Sequence, residues 1–403
     1  MAIRQEPIED IEMREPIRIG VIGVGTMGFA HAKHLFQNKT KGAILSALCD
    51  VDDLRRDEIS VYFPNVPFYA TAEELFAAKV CDAVIVATPH YFHAPIGIAA
   101  LKCGLHLLSE KPLAVQVSEA RALLEVTAQS DKTFCVMFNQ RTNPLFIKAR
   151  ELVKSGALGE PKRLTWIITN WYRTQKYYDS GTWRATWKGE GGGVLMNQAP
   201  HNLDLWQWIF GMPARIRAFC SEGKYHRIEV EDDALIYAEY ENGATATFQT
   251  TTGEYPGTNR LELCGDRGKI VLENGTLKFW RLEVPERKFC FESQESFAKI
   301  PAQYEEMTFT APKSAHGTII QNFVDHILDP SVSLISDGSE AIREVTLANA
   351  AYLSSWRDCW VDLPLDAEGF DAELTKKCED SKLNDGFAKR ETVEYQERWQ
   401  VRW

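Results

Sequence analysis

The 403-residue chain is predicted to be an α/β protein of two domains, a doubly wound parallel sheet followed by an α+β unit built on a mostly antiparallel sheet. Three observations predict this. A strand, a glycine-rich turn and a helix open the pattern at Ile17, and strand and helix signals then alternate as far as Arg141. Beyond that point period-two runs joined by Asn-Gly turns replace the alternation, as antiparallel hairpins require. The length also exceeds what one ordinary core serves. The expected organisation is an arm over 1–16, a first domain over 17–141, a second over 142–365 and an extension over 366–403.

The first element, "IRIGVI", is short, apolar and β-branched. Gly23, Gly25 and Gly28 follow in G-x-G-x-x-G spacing, with Thr26 and Met27 between them, and a helical pattern runs on through Ala30, Ala32 and Leu35. The glycines serve, in turn, a tight bend, close approach of backbone to a pyrophosphate, and close helix-to-strand packing. The helix N-terminus behind them presents free N–H groups to phosphate. "AILSALCD" reads as the second strand, closed by Asp50. An acid there binds adenosine ribose hydroxyls and repels a 2′-phosphate, which favours NAD over NADP; Arg55 and Arg56 soften that preference.

The alternation continues. "FYA" is a third strand, and Thr71 with Glu74 forms a capping box for the next helix. "CDAVIVATP" reads as a buried parallel strand, "YFHAPIGIAALKCG" as a helix closed by Gly104, "HLLSEKPLA" as strand and exit, and "TFCVMFNQR" as the sixth strand. Ligands of such sheets sit at the carboxyl ends of the strands. Thr88, Pro89, Glu110, Lys111, Pro112, Asn139 and Arg141 fall at such ends, with His93 close by. In "SEKPLA" a partly desolvated Lys111 exchanges a proton near neutrality, and Glu110 ties the loop down or meets the cofactor.

Composition narrows the function. A chain 45% hydrophobic and 25% charged is globular, and its net charge of -11 lacks the basic footprint of a nucleic-acid or anionic-membrane binder. No apolar run is long enough to span a bilayer, and "MAIRQEPIEDIEMREP" lacks the apolar core of a secretory signal. Nine scattered cysteines without a CxxC pair support neither a disulfide framework nor a zinc site, so the expected compartment is the cytoplasm and no metal is expected.

Taken in order, GVGTMG, the Asp50 strand end, "ATPHYFH", "EKP" and the glycine run before His201 resemble the Gfo/Idh/MocA family over roughly 17–364. The resemblance implies an N-terminal Rossmann domain, a C-terminal domain on a large antiparallel sheet, and oxidation of a secondary alcohol of a sugar, cyclitol or related polyol with NAD(P). It implies that Lys111 assists proton transfer. It also aligns the family pattern GGG-x-L-x-D-x-G-x-H, whose acid and histidine lie beside the nicotinamide, with Gly191 to Gly193, Asn197, Ala199 and His201.

Asn197 and His201 are spaced to share one helix face, and the glycines are expected to let backbone approach substrate and cofactor. Pro200 suits a first helical turn, so the helix is expected to begin near Gln198 with Asn197 as its cap. An amide orients a hydroxyl but takes no proton, which leaves the acid–base work to Lys111 and His201. Ahead of the glycines, "NWYRTQKYYDSGTWRATWKGE" offers Trp183, Arg184 and Trp187 as walls for a sugar ring, with Arg141 as a further substrate contact. Trp206 and Trp208 are expected in the core.

In the second domain "PKRLTWIITNWYR", "ARIRAFCSE", the runs on either side of Asn242-Gly243 and Asn274-Gly275, and "KFCFES" alternate as strands. One face of that sheet is expected to be covered in a homo-oligomer. The extension, ending in "ETVEYQERWQVRW", is expected to dock on this subunit or a neighbour. Two alternatives to a dehydrogenase stay open at this point: a glycoside-cleaving enzyme that uses bound NAD transiently, and a non-catalytic NAD-binding sensor.

Overall fold

A computed structural model describes residues 15–181 and 183–382; the expected N-terminal arm and the terminal aromatic run lie almost wholly outside them. Strands β1 (Ile17–Ile22), β2 (Ala43–Cys49), β3 (Phe68–Tyr69), β4 (Ala83–Val86), β5 (His106–Ser109) and β6 (Phe134–Val136) form a parallel sheet in the order β3-β2-β1-β4-β5-β6. Ala83, Val84, Ile85 and Val86 are all fully buried, because helices cover both faces. The order reverses between β1 and β4, which opens a crevice at their carboxyl ends.

The two faces of this sheet bury separate apolar clusters. Val84 and Val86 face one way, and Ala83 and Ile85 the other. On the second face lie Ile319, Ile320, Phe323 and Val324 of the helix Ala315–Leu328, so a segment far along the chain returns to complete the first layer. On the first face the cluster runs without a break into the second sheet, through Val115, Leu195, Trp166 and Phe248. One continuous core therefore ties the EKP loop to the helices of the second half.

The second sheet contains β7 (Pro161–Ile168), β8 (Arg215–Glu222), β9 (Glu231–Glu239), β10 (Thr245–Thr251), β11 (Asn259–Gly265), β12 (Gly268–Glu273), β13 (Thr276–Leu282), β14 (Ala302–Thr308) and β15 (Val361–Asp362). Its order is β14-β13-β12-β11-β7-β10-β9-β8-β15, antiparallel except for the β7–β10 pair. Asn274 and Gly275 both take positive φ (51° and 73°), the two-residue turn that matches strand twist. Trp206 is fully buried and stacks on Phe248, whereas Trp208 is half-buried between the guanidinium groups of Arg141 and Arg150.

Two expectations change here. "KFCFES" is not a strand: residues Glu286–Glu292 form an exposed helix after Pro285, in which Lys288 and Glu292 lie one turn apart. Its alternation follows from three aromatic and thiol positions on a surface segment rather than from a pleat. The start of the extension is a helix, Ala367–Asp380, with Asp366 accepting from the Gly369 N–H as its cap. Phe370 of that helix stacks on Trp356 and Lys377 lies over Trp187. Among the described residues no helix is long and apolar enough to cross a membrane.

Candidate active site

At the crevice, the Gly23 backbone turns with φ +82°, and a side chain there would meet the Ala87–Thr88 backbone at 2.8 Å. A Cβ on Gly28 would stand 1.8 Å from the Gly23 carbonyl oxygen, so the helix Thr26–Phe36 can approach its strand only through glycine. Gly25 differs. Nothing lies within 4 Å of where its Cβ would be, which leaves space for a bound group against the helix N-terminus. Asp50 holds this turn: Oδ2 accepts from the Val24 N–H (2.8 Å) and Oδ1 from the Asp52 N–H (3.0 Å). A carboxylate has lone pairs left for ribose hydroxyls after those two bonds. Arg55 Nε donates to the Val24 oxygen at 2.7 Å, so that arginine braces the turn.

The EKP loop leaves β5 at the neighbouring strand end. Glu110 is buried; Oε1 accepts from His31 Nε2 (2.8 Å) and Oε2 from the Lys111 N–H (3.2 Å). Burial opposes its ionisation, but the hydrogen bond and charge of His31, with His316 and Lys111, outweigh it and hold the carboxyl down to about 2. His93, 1% exposed, spans the loop, with Nδ1 2.7 Å from the Pro112 oxygen and Nε2 2.7 Å from the Thr88 oxygen. Burial pulls Lys111 below the ordinary lysine value, and the Glu110 carboxylate resists that pull.

From the other half, Gly191, Gly192 and Gly193 lead into a single turn of helix, Val194–Asn197. Cβ atoms at the three glycines would stand 2.3 Å from Val115, 2.2 Å from the Tyr352 hydroxyl and 1.9 Å from the Glu231 carbonyl oxygen. The run therefore seats the turn against protein, not against substrate as the sequence suggested. Glu231 fastens it, accepting from the N–H groups of Gly193 (2.9 Å) and Leu195 (2.8 Å) and from the Tyr352 hydroxyl (2.7 Å). The chain then breaks, and Pro200 occupies the first turn of Pro200–Phe210 with Ala199 as its cap. Asn197 and His201 thus belong to two helices rather than one face.

The halves meet here: Lys111 Nζ donates to the Asn197 main-chain oxygen at 2.8 Å. His201 lies close enough to feel the charges of Lys111, Glu110 and His316, and burial first, then Lys111, pushes its imidazole far below the usual histidine value. At neutral pH it is an uncharged base beside an ammonium of lowered pKa. The arrangement holds what proton exchange at a hydroxyl requires.

Two family models match the chain. One, described as oxidoreductase family, NAD-binding Rossmann fold, covers residues 17–138; the other, the GFO/IDH/MocA C-terminal domain, covers 146–271. The chain belongs to the Gfo/Idh/MocA family of oxidoreductases. Curated relatives of this family include the inositol 2-dehydrogenase of Corynebacterium glutamicum, 29% identical over 238 residues that make up 57% of this chain and 66% of that one. The aligned part is thus just under two thirds of that relative. The inositol 2-dehydrogenase of Rhizobium meliloti is 23% identical over 84% of this chain and 96% of its own. Among solved structures, the WlbA dehydrogenase of Bordetella pertussis in complex with NADH and UDP-GlcNAcA aligns with a TM-score of 0.72 at 24% identity, over 87% of this chain and all of that one.

Within this family fold, several residues that the sequence placed in the site lie elsewhere. Arg141 is 2% exposed and makes a two-pronged bond to Asp204 (2.8 and 2.7 Å) plus one to Glu340 (2.5 Å), so it cross-links the core and does not face substrate. Trp187 is buried edge-on against Tyr352 and Trp356 beneath the C-terminal helix, not in a pocket wall. Asn139 is fully buried beside His316, and His93 and Glu110 are buried with their polar atoms on Thr88, Pro112, His31 and the Lys111 N–H. Thr26, Met27, Thr88 and Pro89 remain partly accessible at its mouth. Trp183 stands against the His90 ring at 5.4 Å, and the Arg184 guanidinium lies over the Trp183 and Tyr177 rings.

Sequence reasoning passed over three acids. Glu190 is 2% exposed and bonds the Asn197 amide. Burial raises its pKa, and the Arg184 charge is the largest influence favouring the carboxylate form. Its place directly before the glycines was the available signal. Glu231 is identifiable only from the contacts above. Glu344 is fully buried with neither carboxyl oxygen hydrogen-bonded among the described residues; it lies on the Lys111 side of Ile342–Arg357, and burial pushes its carboxyl well above the usual range. A groove of about 910 Å³ bounded by Arg18, Lys79, Asp82 and His106 opens at the amino ends of the strands, the wrong edge for a ligand of this sheet.

Proposed function

We propose that the chain is an NAD-dependent dehydrogenase that oxidises a secondary hydroxyl of a sugar, glycoside or cyclitol. The observation that carries this is the Lys111–Asn197 bond, which brings the crevice lysine and the segment bearing His201 to one place. The named activities of the inositol dehydrogenase relatives agree with it. Bound nicotinamide supplies the acceptor for the carbinol hydrogen and its electron pair. The chain's own residues do the rest. Asn197 orients the substrate, and the hydroxyl proton passes to the nearest base, Lys111 or His201, so that a ketone forms as the O–H and C–H bonds break.

The open space at Gly25 and the Asp50 carboxylate suit the pyrophosphate and ribose of a dinucleotide, and the acid favours NAD over NADP. Phe219 and Leu235, exposed on the outer face of the second sheet, suit burial against a second copy. Nine unpaired cysteines suit a reducing compartment such as the cytoplasm.

The test is a turnover screen with NAD and NADP against monosaccharides, glycosides and inositols, followed by reduced nicotinamide absorbance. Release of NADH with at least one polyol is expected. No turnover with any member of the panel overturns the proposal.

A further inference from the structure

Glu190 bears on a question that the Asp-to-Asn change at position 197 raises: which end of the amide does the substrate meet? An asparagine side chain has a donor end and an acceptor end, and its surroundings decide which faces out. Here the Asn197 Nδ2 group donates to Glu190 Oε1. The other carboxylate oxygen accepts from the Ala185 N–H at 2.6 Å, and the Arg184 guanidinium stands 3.9 Å from Oε1. Arg184 is itself held by the Tyr177 hydroxyl at 2.9 Å, which also accepts from Gln198 Nε2 at 3.2 Å.

Each of these partners of Glu190 is a donor. A carboxylate so surrounded is an acceptor at both oxygens, and it commits the amide NH2 of Asn197 inward. Asn197 Oδ1 takes no hydrogen bond among the described residues, and the residue is partly accessible. The acceptor end is the one left for the crevice.

We infer that Glu190 is a positioning residue that turns the carbonyl end of Asn197 toward the substrate, so that the site selects a hydroxyl, which donates, over the corresponding ketone, which only accepts. The inference rests on the dehydrogenase reading and deepens it. The carboxylate that the family pattern places at 197 is here set behind that position, at 190, and acts through an amide.

Glu190→Gln tests it in the holoenzyme. The Ala185 N–H requires an oxygen, so the NH2 group of the substituted side chain faces Asn197, whose amide must then turn its own oxygen inward and its NH2 outward. The probes are whichever of myo-inositol, glucose and methyl glucoside turns over fastest, and the ketone made from it. Expected is a rise of about tenfold in KM for the alcohol, the loss of one good hydrogen bond, with ketone inhibition unchanged or tighter. Adding Asn197→Asp to Glu190→Gln returns an acceptor to the crevice and restores the alcohol-to-ketone ratio.

An unchanged ratio in Glu190→Gln, or a double variant no closer to wild type than the single, overturns the inference. Should Glu190→Gln fail to fold, Asn197→Leu decides: it removes the acceptor from the crevice, so the alcohol KM is expected to rise about tenfold while ketone inhibition is unchanged. An alcohol-to-ketone ratio unchanged in that variant overturns it equally. A wild-type chain that turns over none of the three probes sinks the dehydrogenase reading itself, an outcome distinct from the other two.

Discussion

Lys111 Nζ donates a 2.8 Å hydrogen bond to the main-chain oxygen of Asn197, across 86 positions of sequence and from one sheet's loop to the other's helix. An ammonium held by a neutral acceptor in a buried site keeps its proton less firmly than one in water. That relationship governs the first prediction. In the wild type, kcat/KM for alcohol oxidation rises with pH along a limb that ends below the ordinary lysine value, because burial lowers the Lys111 pKa. Lys111→Ala loses that limb and about 10²- to 10⁴-fold in kcat. A pH profile of both proteins checks it.

Glu110→Gln moves the same limb to lower pH. The Glu110 carboxylate is the strongest attraction favouring the Lys111 ammonium, and its removal lets the proton leave earlier. Glu344→Gln moves it in the same direction by less, since the Glu344 charge stands second to that of Glu110 at Lys111. Profiles of the two variants side by side separate these effects.

Glu110 also links stability to acid. Its folded value, about 2, lies below the unfolded carboxyl value of 4.5, so its contribution is complete above pH 4.5 and fades as pH falls toward 2. The difference in midpoint between wild type and Glu110→Gln in urea is therefore expected to shrink from pH 6 to the lowest pH at which both proteins are folded, about 3. A constant difference contradicts the charge assignment.

The glycine turn separates binding from folding. Gly28→Ala places a Cβ 1.8 Å from the Gly23 oxygen and is expected to lower Tm by several degrees. Gly25→Ala places a Cβ where nothing lies within 4 Å, so Tm is kept while dinucleotide affinity falls about tenfold or more. Thermal melts and quenching of NADH fluorescence read the two properties independently.

Arg141→Ala leaves Asp204 buried without its partner, an expected cost of about 3–5 kcal/mol. Arg141→Met with Asp204→Leu removes both charges and recovers most of it. Denaturant midpoints of the single and double variants decide whether Arg141 serves the core, as its burial indicates, or the substrate.

What was legible in the chain was local. The apolar runs of β1 and β4, the glycine spacing at 23, 25 and 28, the Thr71 cap and the Asn274-Gly275 turn each act through neighbours a few residues away, and the sequence alone determined them. "KFCFES" misled because a short surface helix carries no buried face to impose a period.

The site was different. That Arg141 meets Asp204, that the three glycines seat against Val115, Tyr352 and Glu231, and that Ala315–Leu328 returns to the first sheet are pairings across long stretches of chain. Pro200 at a helix start was legible from its missing N–H, whereas Glu190 was visible only as a letter until packing set it against the Asn197 amide. Local patterns reflect backbone preference and burial, which each segment carries with it; the direction of a polar side chain depends on donors and acceptors that folding alone brings within about 3 Å.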